Sequence, residues 1–179
     1  MAGMALPERQ TWFGGVAEDP DLVFADRPEA QELKLLLEAW SSWPRAGRLP
    51  ARARFDPADF PKLLPWICLI EFDGHRNRYR AYDGLFRYLG SAHVEQFRAQ
   101  GLTGTYVSAM PDPFPERWFR AYDRLIERAA PMSVRGKPYL VGKSYLRFEM
   151  LFLPLCRNAP EDQDAVAFNL SCVRVEPAQ

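Results

Sequence analysis

The chain has 179 residues, of which 47% are hydrophobic and 26% charged. This is the composition of one globular domain, and it argues against general disorder. Lysine plus arginine and aspartate plus glutamate both number 23, so the net charge is zero. The basic excess typical of nucleic-acid-binding domains is missing, and nucleic acid is not an expected partner.

The cysteines and the apolar runs predict a cytoplasmic protein. Cys68, Cys156 and Cys172 are odd in number and each lies in or beside an apolar run, which predicts buried thiols in a reducing compartment. No apolar run has the length of a membrane span, so no membrane contact is expected. Residues 1–20 lack the basic start and apolar stretch of a secretory signal.

The N-terminal quarter is expected to form a loose tail and one helix. Residues 1–25 show no clear periodicity and predict the tail, while 26–47 predict an amphipathic helix with Asp26 as its cap. Its apolar stripe must pack on the body or on a second chain, and we expect it to be a dimer or partner surface. The stripe has helical spacing and consists of Leu33, Leu36, Leu37, Trp40 and Trp43.

A connector rich in arginine follows. Arg45, Arg48, Arg52 and Arg54 lie among proline and glycine, without the interleaved aromatic residues of a nucleic-acid surface. A solvated connector is the favoured interpretation, and contact with an anion or nucleic acid is the weaker alternative. Asp56 before Pro57 then predicts the cap of a short helix.

The body, residues 48–176, begins with a predicted hairpin. Strand 66–72 is apolar on both faces, which is typical of a central strand in a sheet covered on both sides. Asp73-Gly74 predicts a tight turn, with 77–82 as the return strand. Residues 85–100 predict a helix, although 86–89 also fit a strand that would lengthen the hairpin.

One helix and three strands complete the body. Glu116–Ala130 is the clearest helix, because Trp118, Tyr122 and Leu125 share one face. The strands that follow are predicted at 133–141, 145–153 and 165–175. This element order predicts an α+β fold whose antiparallel sheet carries helices on one face.

Six short motifs follow one another along the chain: Leu49–Arg52, Phe55–Asp59, Leu63–Pro65, Arg78–Arg80, Leu102–Gly104 and Leu151–Leu155. Taken in this order, they resemble a PAS-domain subfamily frequent in alphaproteobacteria, whose members often stand alone. The resemblance extends from about residue 29 to 175, and Asp83-Gly84 stands where the family usually has Gly-Thr.

The resemblance implies a five-stranded antiparallel sheet in the order 2-1-5-4-3, with the predicted amphipathic helix added at the N-terminus. It also implies a sensory module for signal transduction that binds a small ligand or acts through dimer contacts, with no catalytic residues. The cysteine motif of flavin photosensors is missing, and Glu116–Ala130 lacks the histidine that haem sensors carry. No cofactor is therefore identified.

A ring-rich set of side chains is the candidate ligand pocket, for which a small apolar ligand is expected. The set consists of His93, Phe97, Trp118, Tyr122, Phe148 and Phe168. An ordinary core made of the same rings is an equal alternative. No histidine or cysteine cluster predicts a metal site. The alternative function is a small pocketed enzyme of isomerase or lyase type, with His93 or Glu149 transferring a proton.

Overall fold

A computed structural model describes residues 22–138, 143, 145–158 and 162–178. Residues 1–21 of the predicted tail lie outside this part of the chain. The last residues of that tail, Val23–Ala25, form an edge strand. Within the described residues, no helix is long and apolar enough to cross a membrane.

Six antiparallel strands form one sheet in the order β1-β4-β5-β6-β2-β3. They are β1 Val23–Ala25, β2 Ile67–Asp73, β3 Asp83–Leu89, β4 Met132–Gly136, β5 Leu146–Leu155 and β6 Phe168–Pro177. The sheet has six strands rather than five, because β1 adds to β4. The other five follow the order 2-1-5-4-3 that the resemblance implies, and the predicted α+β class is confirmed.

The sheet is covered on both faces, as the apolar pattern of the first predicted strand indicates. Helices α2 (Ser91–Phe97) and α3 (Phe114–Arg128) cover one face. Helix α1 (Gln31–Ser42) covers the other, together with short 3-10 turns between residues 52 and 66. The side chains of β2 divide between the two cores: Cys68 and Ile70 face α3, and Ile67 and Leu69 face α1.

Helix α1 is shorter than the predicted 26–47, and Asp26 is not its cap. Ala30 occupies the cap position without a side-chain hydrogen bond, while Asp26 pairs with Arg128 at 2.6 Å. The carboxylate of Glu149 instead accepts the backbone N–H groups of Glu29 and Ala30, at 2.9 and 2.8 Å. The helix is therefore anchored at its start by a residue from the middle of the sheet. The predicted cap of the next turn is confirmed, since Asp56 accepts the N–H of Ala58 at 2.9 Å.

The hairpin differs from its prediction. Residues 77–82 form a loop, because the Asn77 carboxamide binds the backbone at Tyr79, Arg80 and Tyr82. The return strand β3 starts at Asp83 instead, so the predicted helix 85–100 is wrong in its first half. The alternative, in which residues 86–89 are a strand, is correct, and the helical part begins at Ser91.

The later elements lie within about three residues of their expected positions, except for β4. That strand ends at Gly136 rather than at residue 141. Residues 139–141, which the prediction included, lie outside the described part of the chain.

Candidate functional site

A cavity of about 40 Å³ lies between helices α2 and α3 and the face of the sheet that they cover. Its floor is formed by side chains of β2, β5 and β6, and the segment between α2 and α3 closes one side. The lining is mainly apolar and consists of Cys68, Ile70, Phe86, Leu89, His93, Phe97, Ala99, Leu102, Met110, Phe114, Trp118, Tyr122, Met150 and Ser171.

His93 brings one unsatisfied polar group to the lining. It is 9% exposed, its Nδ1 has no hydrogen-bond partner in the described part of the chain, and its ring lies 4.9 Å from that of Phe97. Burial lowers the pKa of His93 to about 4, and a hydrogen bond to the backbone of Trp66 opposes this effect in part. The imidazole is therefore neutral near pH 7, because its charged form would have to be desolvated.

Trp118 brings a second unsatisfied polar group to the cavity. This residue is 6% exposed, and its Nε1 has no acceptor among the described residues. Helix α3 places the indole over the sheet, with its ring centroid 6.2 Å from that of Phe152. A buried N–H without an acceptor costs free energy, so the site favours an occupant that accepts a hydrogen bond.

The structure divides the six predicted pocket residues into three groups. His93, Phe97, Trp118 and Tyr122 line the cavity. Phe148 lies behind it, with its ring centroid 6.2 Å from that of Phe97. Phe168 lies on the opposite face of the sheet, in the core beneath α1.

The sequence analysis missed several lining residues. Cys68, Met150 and Ser171 occur in predicted strands, and their alternation shows which of them share a face but not that a cavity lies there. Leu102 and Met110 belong to an irregular segment without periodicity, so no sequence signal identifies them.

Glu149, the alternative proton-transfer residue, does not line the cavity. Burial raises its pKa, but the hydrogen bonds from Ala30, Glu29, Ser133 and Arg135 outweigh that effect and lower the pKa below its ordinary value of 4.5. A general base near neutral pH needs a raised pKa, so this geometry suits an anchor for α1 better than a catalytic carboxylate.

Replacing Glu149 with glutamine is expected to lower the free energy of unfolding by about 2 kcal/mol. The charge-assisted hydrogen bonds are lost, and the amide N–H₂ of glutamine would face the N–H and O–H groups that now donate to the carboxylate.

The stabilising effect of Glu149 depends on pH. Because its pKa is lowered, the carboxylate stabilises the fold above pH 4.5 and loses this effect as the pH falls through its folded pKa. The difference between wild type and variant should therefore shrink in acid. Urea denaturation measures both effects. Glu176→Gln, an exposed change on β6, is the control, and equal losses in the two variants would contradict the anchoring role.

The predicted dimer stripe is occupied by the chain's own sheet. Leu33, Leu36 and Trp40 are buried in the core formed with β5 and β6, and Trp40 donates to the Pro154 carbonyl at 3.1 Å. Leu37 and Trp43 pack against the same core while partly exposed. The expectation of a partner surface on this stripe is therefore corrected to packing on the body.

The arginine connector is mostly engaged with backbone. Arg45, Arg48 and Arg52 donate to carbonyl oxygens at 3.0, 2.8 and 3.2 Å. The Arg45 guanidinium also lies 4.5 Å from the ring centroid of Trp40. These contacts favour a structural connector over an anion site. Across the described ranges, no group of three or more potential ligands is placed to hold a metal ion.

Comparisons of this chain with protein-family models, with curated proteins and with solved structures found no match.

Proposed function

We propose that this chain is a PAS-like regulatory module that binds a small ligand between the sheet and helices α2 and α3. The strand order supports the PAS-like part of the proposal. The three cysteines are free buried thiols, which supports the cytoplasmic location that the sequence predicts. The regulatory output is supported by the family resemblance.

The observation that carries ligand binding is the combination of an apolar cavity with two unsatisfied polar groups. Ligand sites are usually apolar pockets in which a few convergent polar groups fix orientation. His93 Nδ1 and Trp118 Nε1 are the unsatisfied atoms: both are buried, and both residues line the cavity. In a core without a ligand, these atoms would be left without hydrogen bonds.

The volume limits the ligand. A cavity of about 40 Å³ holds about three water-sized groups, because one such group needs roughly 10–15 Å³. The site suits an occupant of three or four non-hydrogen atoms.

Filling the cavity should abolish binding. Ala99→Leu adds three carbon atoms at the cavity wall, so a small neutral probe such as acetone or 2-propanol should no longer shift the indole N–H resonance of Trp118 in an NMR titration. A ligand of three or four non-hydrogen atoms binds too weakly to remain bound through purification, so the probe is added to the purified protein. Ala92→Leu makes the same change on α2 away from the lining and should retain the shift. A shift that persists in Ala99→Leu, or a wild-type resonance that neither probe moves, would contradict the proposal.

A further inference from the structure

We propose that the cavity takes an uncharged hydroxyl compound of about four non-hydrogen atoms, whose O–H donates to His93 Nδ1 while its oxygen accepts from Trp118 Nε1. This inference rests on the proposed function and assigns the chemistry of its ligand. It goes beyond the apolar ligand that the ring-rich lining predicts.

The hydrogen-bonding roles of the two groups select the hydroxyl. An indole nitrogen only donates, whereas a neutral imidazole has one donor and one acceptor nitrogen. The bond to the Trp66 carbonyl uses the imidazole N–H, so the unpartnered Nδ1 of His93 is left as an acceptor. The occupant must therefore donate one hydrogen bond and accept another. A hydroxyl does both from a single atom, while a ketone or an aldehyde only accepts.

The lining excludes charged ligands. Its titratable side chains are Cys68, His93 and Tyr122. Burial raises the pKa of Cys68 to about 12 and raises that of Tyr122 well above its ordinary value, and His93 is neutral. No lining side chain therefore carries a charge near pH 7, and an ionised ligand would be desolvated without a counter-charge. Ser171 does not change this, because its hydroxyl donates to the Cys68 carbonyl at 3.3 Å.

Three probes of equal size distinguish a hydroxyl ligand from a carbonyl ligand and from a charged ligand. The compounds 2-propanol, acetone and acetate each have four non-hydrogen atoms in the same branched arrangement, but they differ in donor capacity and charge. A ligand of this size binds no tighter than about 40 µM. The suitable measurement is therefore a titration followed by NMR of the indole N–H of Trp118, assigned by its loss in Trp118→Phe.

We expect 2-propanol to bind about tenfold more tightly than acetone, because acetone leaves Nδ1 unpaired, and we expect acetate not to bind. His93→Phe should remove the preference for the alcohol, since only the alcohol uses Nδ1. Trp118→Phe should weaken both ligands about equally, measured by the methyl resonances of Met110 and Met150. His75→Phe changes the exposed histidine and should preserve the wild-type ratio.

The outcomes separate the two proposals. Equal binding of acetone and 2-propanol to the wild type would overturn the hydroxyl assignment while leaving the ligand site intact. A preference that survives His93→Phe would overturn the role of Nδ1. If neither compound shifts the cavity resonances, the pocket holds water only, and both the hydroxyl assignment and the proposed ligand site fail. The comparison of ligands on the wild-type protein stands even if a variant does not fold.

Discussion

Replacing Trp40 with glutamate is expected to lower the free energy of unfolding by about 5 kcal/mol, which is comparable to the whole stability of many domains. Truncating a buried aromatic side chain alone costs about 3–5 kcal/mol. The change also places a carboxylate in the apolar layer between α1 and the sheet, and it removes the indole donor of the Pro154 carbonyl. Thermal melting followed by circular dichroism measures the loss.

Leu35→Glu is the matched control on the same helix. Leu35 is 55% exposed, whereas Trp40 is 6% exposed, so the same charge at Leu35 should shift stability by less than about 0.5 kcal/mol. A Trp40→Glu variant that melts like the wild type would show that α1 does not dock on the sheet.

The second large effect is a loss of stability in weak acid that depends on His93. The folded pKa of about 4 lies below the ordinary value of 6.5, so between these values the unfolded chain binds a proton that the folded chain excludes. Stability is therefore fully present above pH 6.5 and falls as the pH approaches 4. The contribution of this one residue amounts to about 3 kcal/mol at pH 4.

Denaturant unfolding at several pH values tests this effect. His93→Phe removes the titrating group, so the difference in stability between wild type and variant should change by about 3 kcal/mol between pH 7 and pH 4. Carboxylates contribute to the acid slope in both proteins and cancel in that difference. His75→Gln changes the exposed histidine and should follow the wild-type curve. Parallel curves for wild type and His93→Phe would place His93 in contact with water.

Long elements with strong periodicity were predictable from the sequence. The repeat of Trp118, Tyr122 and Leu125 locates α3, and the alternation from Leu146 to Phe152 locates β5. In these segments the apolar period and the final burial agree, so local pattern and tertiary packing favour the same structure.

The hairpin was not predictable, because tertiary contacts override its pattern. Tyr79 and Tyr82 belong to a segment that the sequence predicts as a strand. Both rings pack on Phe119 of α3 instead, and each ring centroid lies 5.7 Å from that of Phe119. The loop that carries them is fixed by the side chain of Asn77. A side-chain amide that binds three backbone groups leaves no periodic signal in the sequence.

The candidate site was predictable where its residues follow a helical period. Helical spacing brings His93 and Phe97 together, and likewise Trp118 and Tyr122. Strand alternation correctly groups Phe168 with Leu170 and Cys172. It does not show which face of the sheet that group occupies, because a strand apolar on both sides offers two equivalent cores.

The short strand β1 limits how many backbone groups the edge of the sheet exposes to other copies of the chain. Its residues occupy the free side of β4, and a strand this short presents few unpaired backbone groups to another chain. At the opposite edge, the backbone of Phe86 is bonded to Gly104 and Thr105, at 2.7 and 3.0 Å. Contacts at both borders of the sheet thus reduce the number of unpaired backbone groups that another copy of the chain could bind.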